Sequence, residues 1–248
     1  MSQNQTRVVA VIPARMASTR LPGKVLRSIA GKPMIAWVYQ AAAASPLLHR
    51  VLIATDAPAV MEYAESQGWP SVMTSPEIAS GTDRVHAVAG TVDADIYVNI
   101  QGDEPLLRPE HIAALLRPFA RTSADVTTVS TPCPPDQVDN PNAVKVVTAA
   151  DGRALYFSRS PIPYHREPGL LWQKHLGLYA YRKAALAKFA ALPPSPLECT
   201  ERLEQLRLLE NGISIYVEHT PFDSIGVDTE EDRLAVEQVL LSRAGAGV

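Results

Sequence analysis

Three cations stand close together near the start of the chain, Arg15, Arg20 and Lys24, in the stretch ARMASTRLPGK. They follow Val8–Ile12, an apolar run rich in β-branched residues that suits a strand buried on both faces. Pro13 is expected to end that strand, since it has no N–H for the ladder. The small residues Ala14, Ala17, Ser18 and Thr19 let a ligand approach the backbone. Cations gathered at the carboxyl end of a first strand call for an anion, and a polyphosphate fits. A solvated basic loop is the other reading of the same spacing. A counterpart carboxylate is Asp103, which Gly102 turns out of the buried run Ile96–Ile100; it suits a Mg²⁺ riding on phosphates. Asp103 and Glu104 equally suit the approach to a helix starting near Pro109. Asp228 follows Ile225–Val227 just before a last helix. If both segments end on one sheet edge, Asp103 and Asp228 meet at one Mg²⁺ site; the alternative for Asp228 is helix capping. His175 shares a strand face with Gly177, Tyr179 and Tyr181. A lone strand histidine is more often a satisfied core residue than a ligand.

The first loop is neither GxxxxGK[ST] nor GxGxxG. IPARMASTRLPGK resembles the signature loop of the sugar nucleotidyltransferases, and within them the cytidylyltransferases that activate 3-deoxy-manno-octulosonate (KDO), the acidic sugar of bacterial lipopolysaccharide. The resemblance runs on, in the family's order, through SGTDR (80–84), NIQGDEP (99–105), YFSRSPIPY (156–164), HLGLYAYR (175–182), LEQLRLLENG (203–212) and VDTEEDR (227–233), nearly the whole chain.

That resemblance implies a Rossmann-like, three-layer nucleotide-diphospho-sugar transferase fold. It implies that CTP and KDO become CMP-KDO and pyrophosphate, with Mg²⁺ as cofactor. It assigns Ala14, Arg15, Ser18, Arg20, Lys24, Ser80, Arg84 and Asp103 to the nucleotide. Gln101, Arg159, His175, Tyr179, Glu204 and Gln205 go to the sugar, with Arg159 the natural partner of its carboxylate. Asp103 and Asp228 are the metal ligands, and Arg15, Lys24, Asp103 and Asp228 form the catalytic group. A homodimer is implied as well. Glu230, Arg233 and Leu176 depart from the residues common in the family, and none is a proposed functional group. Open alternatives are another acidic sugar, such as sialic acid or 8-amino-KDO, a glycosyltransferase of the same fold, and a non-catalytic nucleotide-binding regulator. The sialic-acid branch usually has a more Gly- and Ser-rich first loop, and the glycosyltransferases usually carry an Asp-x-Asp motif that QGDEP lacks.

The elements that must hold these residues alternate. Helices are expected from Pro33 to about Ser45, with Met34, Trp37, Val38 and Ala41 on the apolar face, and from Pro58 to Gln67, stopped by Gly68. Strands are expected at Val51–Ala54 and Val72–Met73. Such βαβ units call for a mostly parallel sheet. Ser80–Arg84 reads as a loop before a helix from Asp83 to about Val92, with Ser80 or Thr82 as cap. Arg108–Arg121 is an amphipathic helix and Asp125–Thr131 a strand. The Pro-rich break PCPPDQVDNPN opens an insertion at about 132–168, with strands Val144–Thr148 and Ala154–Ser158, that covers the sugar site within a single 1–248 domain. Helices follow at Lys183–Leu192 and Glu201–Asn211. Glu204 and Gln205, adjacent in the second, diverge by about 100° and can serve one ligand only from a helix end. Ile213–Val217 is a strand, and Thr229 with Asp232 caps the last helix.

The 248 residues suffice for one α/β domain, and 46% hydrophobic with 20% charged content is ordinary for a globular protein. A net charge of −3 gives no support for general nucleic-acid binding. No stretch approaches the roughly 20 apolar residues of a membrane span. The polar start MSQNQTR reads as neither secretion signal nor anchor. Cys133 and Cys199 match no metal spacing and are expected as reduced thiols in the cytoplasm.

Overall fold

The apolar run at the start forms β1 (Val8–Ala14), every residue of which is buried. It does not stop at Pro13. Val8–Val11 pair in parallel with Ile96–Asn99, and Val9–Ala14 pair in parallel with Arg50–Thr55. Groups on alternate residues face opposite neighbours. The Val11 carbonyl accepts from Ile100 N–H, so Pro13 turns the same way. Its missing N–H falls where that neighbouring strand has already ended, and the ladder loses nothing.

The computed structural model describes residues 6–17, 20–167, 169 and 171–245, without the side chains of 244 and 245. Ser18, expected to contact the nucleotide, and Thr19 lie outside the described residues, as does Pro168 at the expected end of the insertion. The chain divides into two compact units, residues 1–109 with 224–248, and residues 110–223.

In the first unit, β1 is followed by a small hairpin of β2 (Ser28–Ile29) and β3 (Lys32–Pro33), then α1 (Met34–Ala43), β4 (Arg50–Thr55), α2 (Pro58–Ser66), β5 (Ser71–Met73), α3 (Gly81–Ala89) and β6 (Ile96–Asn99). The four larger strands are all parallel, in the order β6-β1-β4-β5. Their carboxyl ends share one edge, where Arg15, Asp56 and Asp103 leave the sheet. Met34, Val38 and Ala42 bury the inner face of α1. The C-terminal helix, Glu230–Gly245, returns to this unit. Val227, Val236 and Leu240 pack in one cluster with Leu21, Ile29, Met34 and Leu106.

The second unit contains α4 (Pro109–Arg121), β7 (Val126–Pro132), β8 (Lys145–Thr148), β9 (Ala154–Ser158), β10 (Gln173–Arg182), α5 (Lys183–Ala191), α6 (Pro196–Glu201), α7 (Gln205–Glu210) and β11 (Ile215–His219). β7 is central, with β11 parallel on one side and β10 antiparallel on the other. The stretch 132–168 supplies β8 and β9, an antiparallel pair that reaches β10 at Lys145–Lys174.

Two expected elements differ. Ser80–Arg84 is not a loop: α3 begins at Gly81, because Ser80 Oγ accepts from Asp83 N–H at 3.0 Å and starts the helix two residues early. The helix expected over Glu201–Asn211 begins only at Gln205, and Glu201 instead closes a separate, unexpected helix, α6. Arg202 has φ 55°, a left-handed turn that ends α6 and lets α7 start afresh with Glu204 at its N-cap. Among the described residues, no helix is long and apolar enough to cross a membrane, and both cysteines are free thiols.

Candidate active site

Gly102 decides where Asp103 goes. A Cβ on residue 102 would lie 2.8 Å from the Pro13 carbonyl oxygen, so only glycine lets the chain after β6 cross the end of β1 this closely. Asp103 then meets the first loop. Lys24 Nζ donates to Asp103 Oδ2 at 2.5 Å and to Asp228 Oδ1 at 2.9 Å. Two oxygens on one nitrogen are at most about 5.4 Å apart, the sum of those distances. The Val227 N–H donates to the Asp103 carbonyl at 2.8 Å and holds the two segments side by side. Arg20 adds an ion pair to Asp228 Oδ2 at 3.0 Å. Cations and carboxylates separated widely in sequence thus form one cluster at the carboxyl edge of the parallel strands.

The electrostatics follow from this crowding. Burial pulls the Lys24 ammonium down, but Asp103 and Asp228 outweigh it and hold its pKa above the ordinary lysine value. Burial pushes Asp228 up, while Lys24 and Arg20 overcome that and hold it below the usual carboxylate range. Lys24 is 14% exposed, so its pairs matter more than that of Arg20, 58% exposed. Asp228 does not cap the last helix. Thr229 Oγ1 accepts from Asp232 N–H at 3.1 Å, and Asp232 Oδ2 accepts from Thr229 N–H at 2.9 Å, so the cap is complete without it.

Other expected nucleotide contacts are spread along the same edge. Ala14 is the last residue of β1 and fully buried. Arg15 Nη2 donates to the Ile78 carbonyl, tying the first loop to the segment before α3. Arg84 is fully buried and turned to Asp56 Oδ2 at 2.9 Å and to the Thr74 hydroxyl, so it fastens α3 to the ends of β4 and β5. Gln101 is half-buried beside Gly81, its Nε2 3.5 Å from Asn99 Oδ1.

The remaining sugar candidates belong to the second unit. His175 and Tyr179 share a face of β10, ring centroids 5.4 Å apart, across an irregularity that takes Gly177 and Leu178 out of register with β7. His175 keeps some surface, yet the protein around it desolvates the ring and lowers its pKa to about 3. Burial, with Tyr181 and Glu204 nearby, raises the Tyr179 phenol well above its ordinary value. The Tyr179 hydroxyl and Gln205 Nε2 are buried with no hydrogen-bond partner among the described residues. His165 Nε2, Gln173 Oε1 and Ser195 Oγ in the same unit are likewise buried without a partner among the described residues. Glu204 and Gln205 open α7, at the helix end that joint service of one ligand requires. Arg159 donates to the carbonyls of Glu201, Pro141 and Arg202 at 2.6, 2.8 and 3.2 Å, leaving two of its five N–H groups. It clamps the loop after β9, a structural task its place in the motif did not reveal. Glu201, which accepts from Ser158 Oγ at 2.6 Å and from Arg159 N–H at 3.0 Å, was also not marked by any motif. The same holds for Asp56, although its position after β4 on the shared edge was a signal.

Residues 9–215 match the family model described as cytidylyltransferase. The 3-deoxy-manno-octulosonate cytidylyltransferase of Acidobacterium capsulatum is 66% identical over 238 residues, 95% of this chain and 97% of its own length. That of Koribacter versatilis is 55% identical over 239 residues, 96% of this chain and 91% of its own. A solved structure of CMP:2-keto-3-deoxy-manno-octonic acid synthetase complexed with CTP superposes with a TM-score of 0.92 at 41% identity, covering 96% of this chain and 100% of that one. The mixed α/β, mostly parallel fold expected from the alternating pattern is the fold of that protein.

Proposed function

The chain belongs to the cytidylyltransferase family, and from that premise we infer that it joins CTP to KDO, giving CMP-KDO and pyrophosphate and so activating KDO for lipopolysaccharide synthesis. The observation that carries the site assignment is one ammonium, Lys24, held between Asp103 and Asp228. The anomeric hydroxyl of the sugar attacks the α-phosphorus of CTP in line with the departing pyrophosphate. Such a transfer needs positioning and charge stabilisation more than covalent chemistry. The acceptor carries a carboxylate and CTP about four negative charges. One like-charge pair at 4 Å opposes their approach by roughly 4 kcal/mol at an effective dielectric of 20. Arg15, Arg20 and Lys24 turn that repulsion into attraction at the triphosphate. Ala14 carries the chain from β1 into the first loop, and Ser80 and Arg84 shape the side of the base and ribose.

Asp103 and Asp228 fit a Mg²⁺: they are hard oxygen donors, already converging on one cation, and two carboxylates with phosphate oxygens suffice for that ion. When bound there, Mg²⁺ supplies positive charge at the phosphates as negative charge moves to the leaving group. Gln101, His175, Tyr179, Glu204 and Gln205 serve the sugar, with the two free N–H groups of Arg159 available to its carboxylate. A cytoplasmic location and a pairing of two chains belong to the same reading and rest on the resemblance; sedimentation measures the second. The test of the activity is pyrophosphate release with CTP, offered KDO and then sialic acid. Rapid release with KDO alone supports the reading, and equal or greater release with sialic acid overturns the choice of sugar.

A further inference from the structure

Thr128 is fully buried on β7, opposite the irregularity in β10. Its hydroxyl oxygen lies 2.7 Å from the Leu178 carbonyl, 3.4 Å from the Leu176 carbonyl and 2.9 Å from His175 Nε2. A threonine hydroxyl has one proton and two lone pairs, and a carbonyl oxygen can only accept. The proton therefore goes to Leu178, the short contact. Toward His175 the hydroxyl then offers a lone pair, and Nε2 must bring the proton. Sending the threonine proton to the ring instead would leave two lone pairs facing each other at 2.7 Å.

Burial keeps the ring neutral, with one N–H. With that proton on Nε2, Nδ1 is bare. Nothing among the described residues is hydrogen-bonded to Nδ1. We propose that Thr128 is a positioning residue for the acceptor sugar: it fixes His175 as the Nε2–H tautomer, so that Nδ1 accepts a hydrogen bond from a sugar hydroxyl. The sugar half of this proposal rests on the reading above that His175 serves KDO. His175 is thereby a reader of a hydroxyl and not the base that deprotonates one, since a ring with a pKa of about 3 draws a proton weakly at neutral pH. A site built to accept from a hydroxyl also rejects an analogue lacking it.

The test pairs Thr128→Val, which keeps the shape and removes the hydroxyl, with Thr128→Ser, which keeps the hydroxyl. Long-range ¹⁵N–¹H correlation spectra of the free protein, with the His175 signal assigned by its absence in His175→Gln, read the tautomer directly. Wild type and Thr128→Ser should show Nε2–H alone, and Thr128→Val a mixture. KM for KDO should rise about tenfold in Thr128→Val, the worth of one oriented hydrogen bond. KM for CTP should stay within about twofold, since the nucleotide side keeps its contacts, and Thr128→Ser should restore KM for KDO. A wild-type ring protonated on Nδ1 overturns the proposal. So does a Thr128→Val protein that melts lower but keeps a pure Nε2–H tautomer, because the hydroxyl would then only pin the irregular strand. Wild-type enzyme that turns over CTP with some other sugar and not KDO overturns the functional reading and the sugar half of the proposal, while the spectrum still decides the tautomer.

Discussion

Thr229 and Asp232 cap each other at the start of the last helix, which leaves the Asp228 side chain to Lys24 and Arg20. Asp228→Asn should therefore melt near the wild-type temperature, while turnover falls about 10²-fold or more, as for loss of other groups that stabilise transition-state charge. A fully active variant ends the metal role of Asp228. Lys24→Ala should cut turnover with CTP as severely. It should also strengthen Mn²⁺ binding to the nucleotide-free protein, read by electron paramagnetic resonance, because the ammonium no longer occupies the two carboxylates. Unchanged Mn²⁺ binding would separate the lysine from the metal site. His175 makes a prediction about acid. Its pKa is about 3 in the folded protein against 6.5 ordinarily, so between those values the unfolded chain binds a proton that the folded one refuses. The contribution is complete above pH 6.5 and is lost as pH falls toward 3. At 1.36 kcal/mol per unit it amounts to at most about 5 kcal/mol. His175→Gln should accordingly lose less stability than wild type between pH 7 and pH 4 in urea titrations. Equal losses would mean that the ring titrates normally.

At the scale of elements, the parallel strands of the first unit were legible because strands buried on both faces read as apolar runs. Strands formed at Val8–Ile12, Val51–Ala54 and Ile96–Ile100, although the first runs on to Ala14 and the last ends at Asn99. The edge residues were legible for the same reason, since functional groups gather where such strands end. What escaped the sequence was three-dimensional. Pro13 looked like a strand end, because nothing in its neighbours says which side its absent N–H will face. Arg202 adopts a left-handed turn without being glycine or asparagine, so the break between α6 and α7 carried no local mark. Thr128 sits in an unremarkable strand, VTTVSTP, and matters only through a strand far along the chain. Gly102 was expected to permit a tight turn. Its need for glycine comes instead from the Pro13 carbonyl 2.8 Å from where a Cβ would stand. Gly102→Ala must push the loop off β1, at a cost of about 1–3 kcal/mol for overpacking. Asp103 should move with it, so turnover should fall by more than the melting temperature suggests. Wild-type turnover in that variant would show that the loop can give way.

The whole molecule has one unit written in two pieces, residues 1–109 and 224–248, and another written in one, residues 110–223. The second piece gives the first unit Val227, Val236 and Leu240 for its core and Asp228 for its site. Each large apolar side chain lost from a core costs about 2–5 kcal/mol, comparable to much of a domain's stability. A chain stopped after Asp223 should therefore keep slow amide exchange in β7, β10 and β11 and lose it in β1 and β4. Protection retained in β1 and β4 would show that the first piece stands alone. On the ribosome the same division sets an order of events. Domains generally fold as units while synthesis proceeds, and the uninterrupted unit is complete before Ser224 has been made. The half-unit ahead of it must wait, with Lys24 and Asp103 already in place and Asp228 still to come. The edge that carries Lys24 and Asp103 therefore closes only after Asp228 has been made, and chains stopped short of Asp228 hold that cluster incomplete.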